Sequence, residues 1–470
     1  MVVWGESIKS SKYFNILCNI IFSVLVNTMN THSVRGITKV AALAIVAILV
    51  IVVAGALFFS GIIPLAPVEE EAIPEKIVIG GSLGLSGKYS TEGSMSLWGV
   101  LTAVKWVNEV NGGIELSGKK VPIEFKYYDD ESKKENVPSL YERLITVDKV
   151  DFLLAPYASS LTFAAASVAD KYGVIMLSHG GASNIIFEQG YEYVVQVLTP
   201  ATKYLTGILD MVKELDPDAR KVAIIYKDSE FPRMVAEGAK DHAERLGFDV
   251  VFYSSYPADA TDLTPLLTDM ATTNPDIVLA SSHFADGQLI ASQMAELNIN
   301  AKAIGITVAP ALPKFYEALG SLAEGILYPG QWEVGVKYSP SAAEALGIEW
   351  WGPTQDEFLD LFKQVTMELT GEEKIPSYHA AEAAASLLVI AKAIEVAQSL
   401  DQDEVREALS ELDIMTFFGR YKIDPDTGLQ IGHDMVVGQW QGGSKVIVWP
   451  EEAAVAEPIY PIPTWDEKRS

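Results

Sequence analysis

From residue 75 onward, short apolar runs alternate with stretches in which apolar residues return every three or four positions. "EKIVIGGSLGLSG" (75–87) reads as a strand running into glycine turns, and 94–110 carries Leu97, Val100, Leu101, Val104 and Val107 on one helical face before stopping at "NGG". The alternation continues through strand "VPIEFKYYDD" (121–130), a helix at 138–147, strand "VDFLLA" (150–155), a helix over 162–172 ended by Gly173, and strand "VIMLSH" (174–179). A second set follows "VVQVLTP" (194–200), with helices at 201–215, 232–246, 262–272 and 286–297 between strands "KVAIIYKD", "DVVFYSS", "DIVLASS" and "KAIGIT". Such alternation predicts an α/β protein with parallel-type sheets flanked by helices, and its repetition predicts two similar lobes rather than one large sheet.

The remaining pieces do not form a third set. "GILYPGQW" (325–332) is extended, 354–370 and 378–398 are helical, and 433–449 reads as a β-hairpin about Gly442 and Gly443. They must return to lobes already made, so the chain crosses between lobes several times. Repeated crossings make a hinge with a cleft, and open α/β sheets bind ligands beyond the carboxyl ends of their strands.

Ahead of this body, residues 40–63 form an apolar stretch of about 36 Å as a helix, enough to span a bilayer. Arg35 and Lys39 precede it and the acidic linker 64–75 follows, which places the body outside the membrane whether the stretch is a retained anchor or a signal cleaved near Ala56. Residues 1–39 read as a tail, and Met29 offers a second start before a conventional basic segment. Cys18, the single cysteine, lies upstream of the exported part and follows Leu17, which excludes a disulfide and argues against a lipid anchor.

With 35 basic against 62 acidic side chains, a net charge of −27, the chain should repel nucleic acid. Its histidines (His32, His179, His242, His283, His379, His433) show no metal-ligand spacing, so neither a metal nor a cofactor is expected. Ser159, Ser160 and Thr162 in "APYASSLT" stand between a strand end and a helix start, where free backbone N–H groups favour an anion. An N-cap role is the other reading; a nucleophile would need a base and an elbow motif, and neither is evident.

Several segments in order resemble the branched-chain amino-acid type of solute-binding proteins of ABC importers. They are "IVIGGSLGLSGKYSTEG" with "AVKWVNEVNGGI", "YYDDES", "APYASSLTFAAASVADKYGVIMLSHGGAS", "KVAIIYKDSEF", "AEGILYPGQW", "SYHAAEAAA" and "FFGRYKIDPDTG". The resemblance implies a type I periplasmic-binding-protein fold, two Rossmann-like lobes with crossings near 197–201, 325–331 and 431–436. Lobe one would take 76–198 and 330–432, lobe two 199–329 and 433–452, with 453–470 a C-terminal tail. The implied partners are a small-molecule ligand, permease subunits and the membrane at the N-terminal segment. A sensor ectodomain and an enzyme are the competing classes; the chain has no P-loop of its own.

By the same resemblance, a ligand carboxylate would meet Ala158, Ser159, Ser160, Gly181, Ala182 and Ser183. Tyr89, Tyr157, Phe231, His283, Trp332 and Tyr378 would line the pocket, each with a core or surface-turn role as its competitor. The departure falls in 301–315, where amino-acid binders of this type carry an acid to pair the ligand's ammonium; here Thr307 stands in its place. Glu382 and Asp286 are possible substitutes, and an organic acid or amide without that charge is the alternative ligand. Ala158 stands where some relatives have a disulfide cysteine.

Overall fold

A computed structural model describes residues 73–469. The expected tail 1–39, the apolar segment 40–63, Cys18 and most of the linker 64–75 lie outside the described residues. Among the described residues, no helix is long and apolar enough to cross a membrane.

The first lobe opens with β1 (Ile77–Leu83), the small hairpin β2 (Ile114–Leu116) and β3 (Lys119–Val121), then β4 (Ile123–Asp129), β5 (Phe152–Leu154), β6 (Met176–Ser178) and β7 (Val194–Gln196). Its main sheet is wholly parallel in the order β4-β1-β5-β6-β7, with Ile79 of β1 opposite Phe125 on one side and Phe152 on the other. The second lobe contributes β8 (Lys221–Lys227), β9 (Asp249–Tyr256), β10 (Ile277–Ser281), β11 (Ala303–Ile306) and β12 (Leu327–Gly330). These lie in the order β9-β8-β10-β11-β12, so the two lobes repeat one topology in which the first strand is second in line. The chain then forms β13 (Glu349–Trp350), β14 (Ile414–Thr416) and β15 (Gly419–Tyr421), a separate three-stranded sheet. It ends its strands with the antiparallel hairpin β16 (Val436–Gln441) and β17 (Ser444–Trp449), which extends the second sheet beyond β12.

The 20-residue helix Tyr378–Ala397 is apolar almost all round, and 16 of its residues are buried; only the interior can hold such a helix. It packs on the helix Ser90–Lys105 so closely that a Cβ at Gly99 would lie 2.0 Å from the Ala380 carbonyl oxygen. Hydrogen bonds join three segments between the sheets at one point. The Thr199 amide donates to Gln331 Oε1 (2.9 Å), Gln331 Nε2 donates to the Thr199 carbonyl (3.1 Å), and the Thr199 hydroxyl pairs with His433 Nδ1 at 2.7 Å.

Several elements differ from their sequence patterns. The predicted helix 201–215 is a 3-10 turn, Ala201–Lys203, followed by the helix Thr206–Leu215. The helix predicted from 162 begins at Ser159, because Ala158 adopts φ 78° and turns the chain directly out of the strand end. The C-terminal segment is docked on the second lobe: Trp465 is buried with its indole N–H donating to the Ile299 carbonyl (2.6 Å), and the Ile462 amide donates to the Lys302 carbonyl.

Candidate functional site

In each lobe the chain leaves the first and third sheet strands in opposite directions around the sheet, opening a crevice beyond their carboxyl ends. In lobe one these ends lead to Tyr89 and Tyr157, and in lobe two to Phe231 and His283. The four rings meet across the cleft. Tyr89 lies 5.6 Å from Tyr157 and 5.1 Å from His283, and His283 lies 6.2 Å from Tyr157 and 5.6 Å from Phe231, between ring centroids.

Behind the rings is a cavity of about 10 Å³, room for about one water. A solute of amino-acid size therefore requires the lobes to part. Of the residues singled out from sequence, Tyr157, Ala158, Ala182, Phe231, His283 and Tyr378 line the cavity, as does Glu382. Gly180, Leu198, Tyr204 and Val308 also line it and were not anticipated. Tyr89 is at its edge, through its ring contacts.

Ser159 does not cap its helix. It is the first helical residue, and its Oγ accepts from the buried Ser183 amide (3.0 Å), tying "APYASS" to "HGGAS". That approach needs glycine: a Cβ at Gly180 would lie 2.8 Å from Tyr157 Cα, and one at Gly181 2.5 Å from the Thr162 side chain. Ser160 lies near the Tyr89 hydroxyl. The amides of Ser159 and Ser160 donate to no acceptor among the described residues, so the helix start presents free N–H groups.

Two positions fall elsewhere. Trp332 is fully buried, donates from its indole to the Phe417 carbonyl (3.0 Å) and packs edge-on against Phe358 and Phe417, so it belongs to the core rather than the cavity wall. Thr307 spends its hydroxyl on Ser282, donating to the carbonyl (2.8 Å) and accepting from the amide (2.7 Å); the next residue, Val308, with φ 61°, faces the cavity instead. Asp286 is likewise committed, to Lys227 (2.7 Å), the Tyr256 hydroxyl (2.7 Å) and the His283 amide (3.2 Å).

At eight of the described residues, buried side-chain polar atoms have no hydrogen bond, and two of the eight, His283 and Glu382, line the cavity. The eight are Glu92, His179, Ser183, Ser229, Ser281, His283, His379 and Glu382. The His179 ring approaches the Ala155 backbone without closing to hydrogen-bond geometry. Burial and the nearby Lys227 push His283 down to about 3, which keeps it neutral, and burial raises Glu92 to about 7 and Glu382 well above the carboxylate range. Larger surface clefts, about 560 Å³ beside Met211 and Trp449 and about 450 Å³ beside Trp98 and Lys314, contain none of these atoms. No group of three metal-ligating side chains occurs among the described residues.

The sequence profile of the family described as periplasmic binding protein matches residues 76–445. The Leu/Ile/Val-binding protein homolog 7 of Brucella suis is 26% identical over 397 residues, covering 81% of this chain and 93% of that protein. Among solved structures, the branched-chain amino acid transporter substrate binding protein LivJ of Streptococcus pneumoniae, in complex with isoleucine, aligns with TM-score 0.64 at 23% identity, covering 80% of this chain and all of that one. A solute binding protein of an ABC transporter from Rhodopseudomonas palustris, in complex with 3,4-dihydroxy benzoic acid, aligns with TM-score 0.62 at 18% identity over 83% of this chain and 99% of that one. The two-lobed topology is theirs, the family match spans most of the chain, and the protein therefore belongs to the periplasmic binding proteins, a family of solute binders and not of enzymes.

Proposed function

We propose that this chain is the extracytoplasmic binding component of an ABC importer, closing two lobes on a small carboxylate-bearing solute and delivering it to membrane permease subunits. The observation that carries the reading is that one interlobe cavity is lined by His283 and Glu382, each with an unpartnered buried polar atom, because a native protein leaves few such groups unpaired and a bound solute would complete them. The solute carboxylate would sit at the free amides of Ser159 and Ser160, beside the Ser183 hydroxyl, at the positive end of the helix. Residues 40–63 would hold the protein at the membrane or direct its export.

Native mass spectrometry of the purified protein, followed by a thermal-shift panel of amino acids, aromatic acids and aliphatic acids, tests this. A co-purified carboxylate, or stabilisation by one member of the panel that is lost with its methyl ester, is expected. Stabilisation by esters and acids alike would refute the carboxylate assignment.

A further inference from the structure

Five acidic side chains are buried in the described residues: Glu92, Asp130, Asp286, Glu333 and Glu382. Three are fully engaged by protein. Glu333 takes Lys445 and the Tyr328 hydroxyl, Asp286 takes Lys227 and Tyr256, and Asp130 accepts from the Ser82 hydroxyl and the Ser132 amide. Glu92 accepts the Phe284 amide with one oxygen. Glu382 alone of the five lines the cavity; its Oε2, like that of Glu92, has no partner, and no ion pair among the described residues reaches it.

Tyr157, Tyr204 and Tyr378 lie around Glu382, with His379 on its own helix, His283 from the second lobe, and Glu92 acting on Tyr157 and Tyr378. Lys227, the ammonium that bears on His283 and Glu92, is already bonded to Asp286. The site thus contains a carboxyl with no positive charge to neutralise it, facing the space that a solute would occupy.

We infer that Glu382 is a specificity-determining residue that holds a cationic nitrogen of the solute from the first lobe, selecting an amino-bearing carboxylate over the same acid without its amino group. This rests on the binding role proposed above. An ammonium requires the ionised carboxylate, whereas burial alone favours the protonated form. Binding then releases a proton from Glu382, and affinity climbs by up to about tenfold per pH unit until the raised pKa is passed.

The test is calorimetric titration of the full-length protein with matched pairs: L-leucine and 4-methylpentanoate, L-phenylalanine and 3-phenylpropanoate, L-glutamate and glutarate. In the pair that responds, the amino member should bind about 30-fold tighter or more, and its affinity should rise as the pH is taken above the ordinary carboxylate range. Glu382→Gln should abolish both the preference and the pH slope, while its unliganded melting temperature equals or exceeds the wild type. Equal binding of the deaminated acid overturns the role of Glu382 and leaves the binding function standing. No binding in either series overturns both. The pairwise comparison and pH slope are read on wild-type protein, so the inference stays falsifiable even if the variant does not fold.

Discussion

Glu92 tests how the two lobes hold each other. Its Oε1 accepts from the Phe284 amide, at the start of a second-lobe helix, at 3.4 Å, and its Oε2 has no partner. Burial raises this carboxyl from 4.5 to about 7. A carboxyl raised by folding or closure contributes stability that is fully present below its unfolded pKa and is lost as pH rises through the raised value. The shift corresponds to about 3 kcal/mol, withdrawn between about pH 4.5 and pH 7.5. Glu92→Gln keeps an oxygen toward Phe284 and removes the titration. The variant should match wild type near pH 4.5 and exceed it at pH 8. At about 2 cal/mol/K of unfolding entropy per residue, the gap amounts to about 4 °C in melting temperature. Calorimetric melts of both proteins across this range read it directly. Parallel curves, or a gap widest at low pH, would refute the account of Glu92 as a buried carboxyl opposed to its own ionisation.

Three further substitutions probe separate parts of the frame. Ser159→Ala strips the acceptor from the buried Ser183 amide, which should lower stability by about 1–3 kcal/mol and weaken solute binding in calorimetry while the lobe stays folded; unchanged affinity would return Ser159 to a purely structural role. Gly99→Ala drives a Cβ against the Ala380 carbonyl, and the two central helices of lobe one should separate at a cost of about 1–3 kcal/mol or more, read from the urea midpoint. Trp465→Ala removes the buried indole and its bond to Ile299, which should destabilise the second lobe by about 3–5 kcal/mol, seen as earlier loss of hydrogen-exchange protection in β10 and β11 than in β1 and β5.

The parallel strands were legible because their apolar runs are bounded by turns and separated by helical spacing, both local signals. Tyr157, Phe231 and His283 were singled out by the family resemblance, and each follows the end of a strand, at Leu154, Lys227 and Ser281. Trp332 has the same address two residues beyond β12, yet its ring turns into the core to bond Phe417, a direction set by packing that no spacing encodes. Tyr204 and Leu198 reach the cavity because the chain crosses between lobes beside them, and Val308 because of its positive φ; neither cause is visible in a linear pattern. The strands β13, β14 and β15 have at most three residues each, too few to show a period. The docked C-terminal segment is anchored by Trp465 within a charged stretch that reads as a tail.

The missing acid beyond β11 is where sequence and structure inform each other most. At that strand end the second lobe supplies Thr307, a neutral side chain whose hydroxyl proton is already spent on Ser282 in stitching β10 to β11. The second lobe's own buried acid, Asp286, is neutralised by Lys227, and its cleft-facing groups are an aromatic ring at Phe231 and a neutral imidazole at His283. Uncompensated carboxyl oxygens lie instead on two first-lobe helices, at Glu92 and Glu382, and Gly99 allows those helices to pack together. The free amides of Ser159 and Ser160 are on the first lobe too. In the proposed reading, both charged ends of a zwitterion would then be recognised by one lobe, and the other would act as an apolar cover that excludes water. Such an arrangement lets the open protein select its solute before closing, because the selecting groups are already held in place by one sheet and its helices and do not wait for the second lobe to arrive.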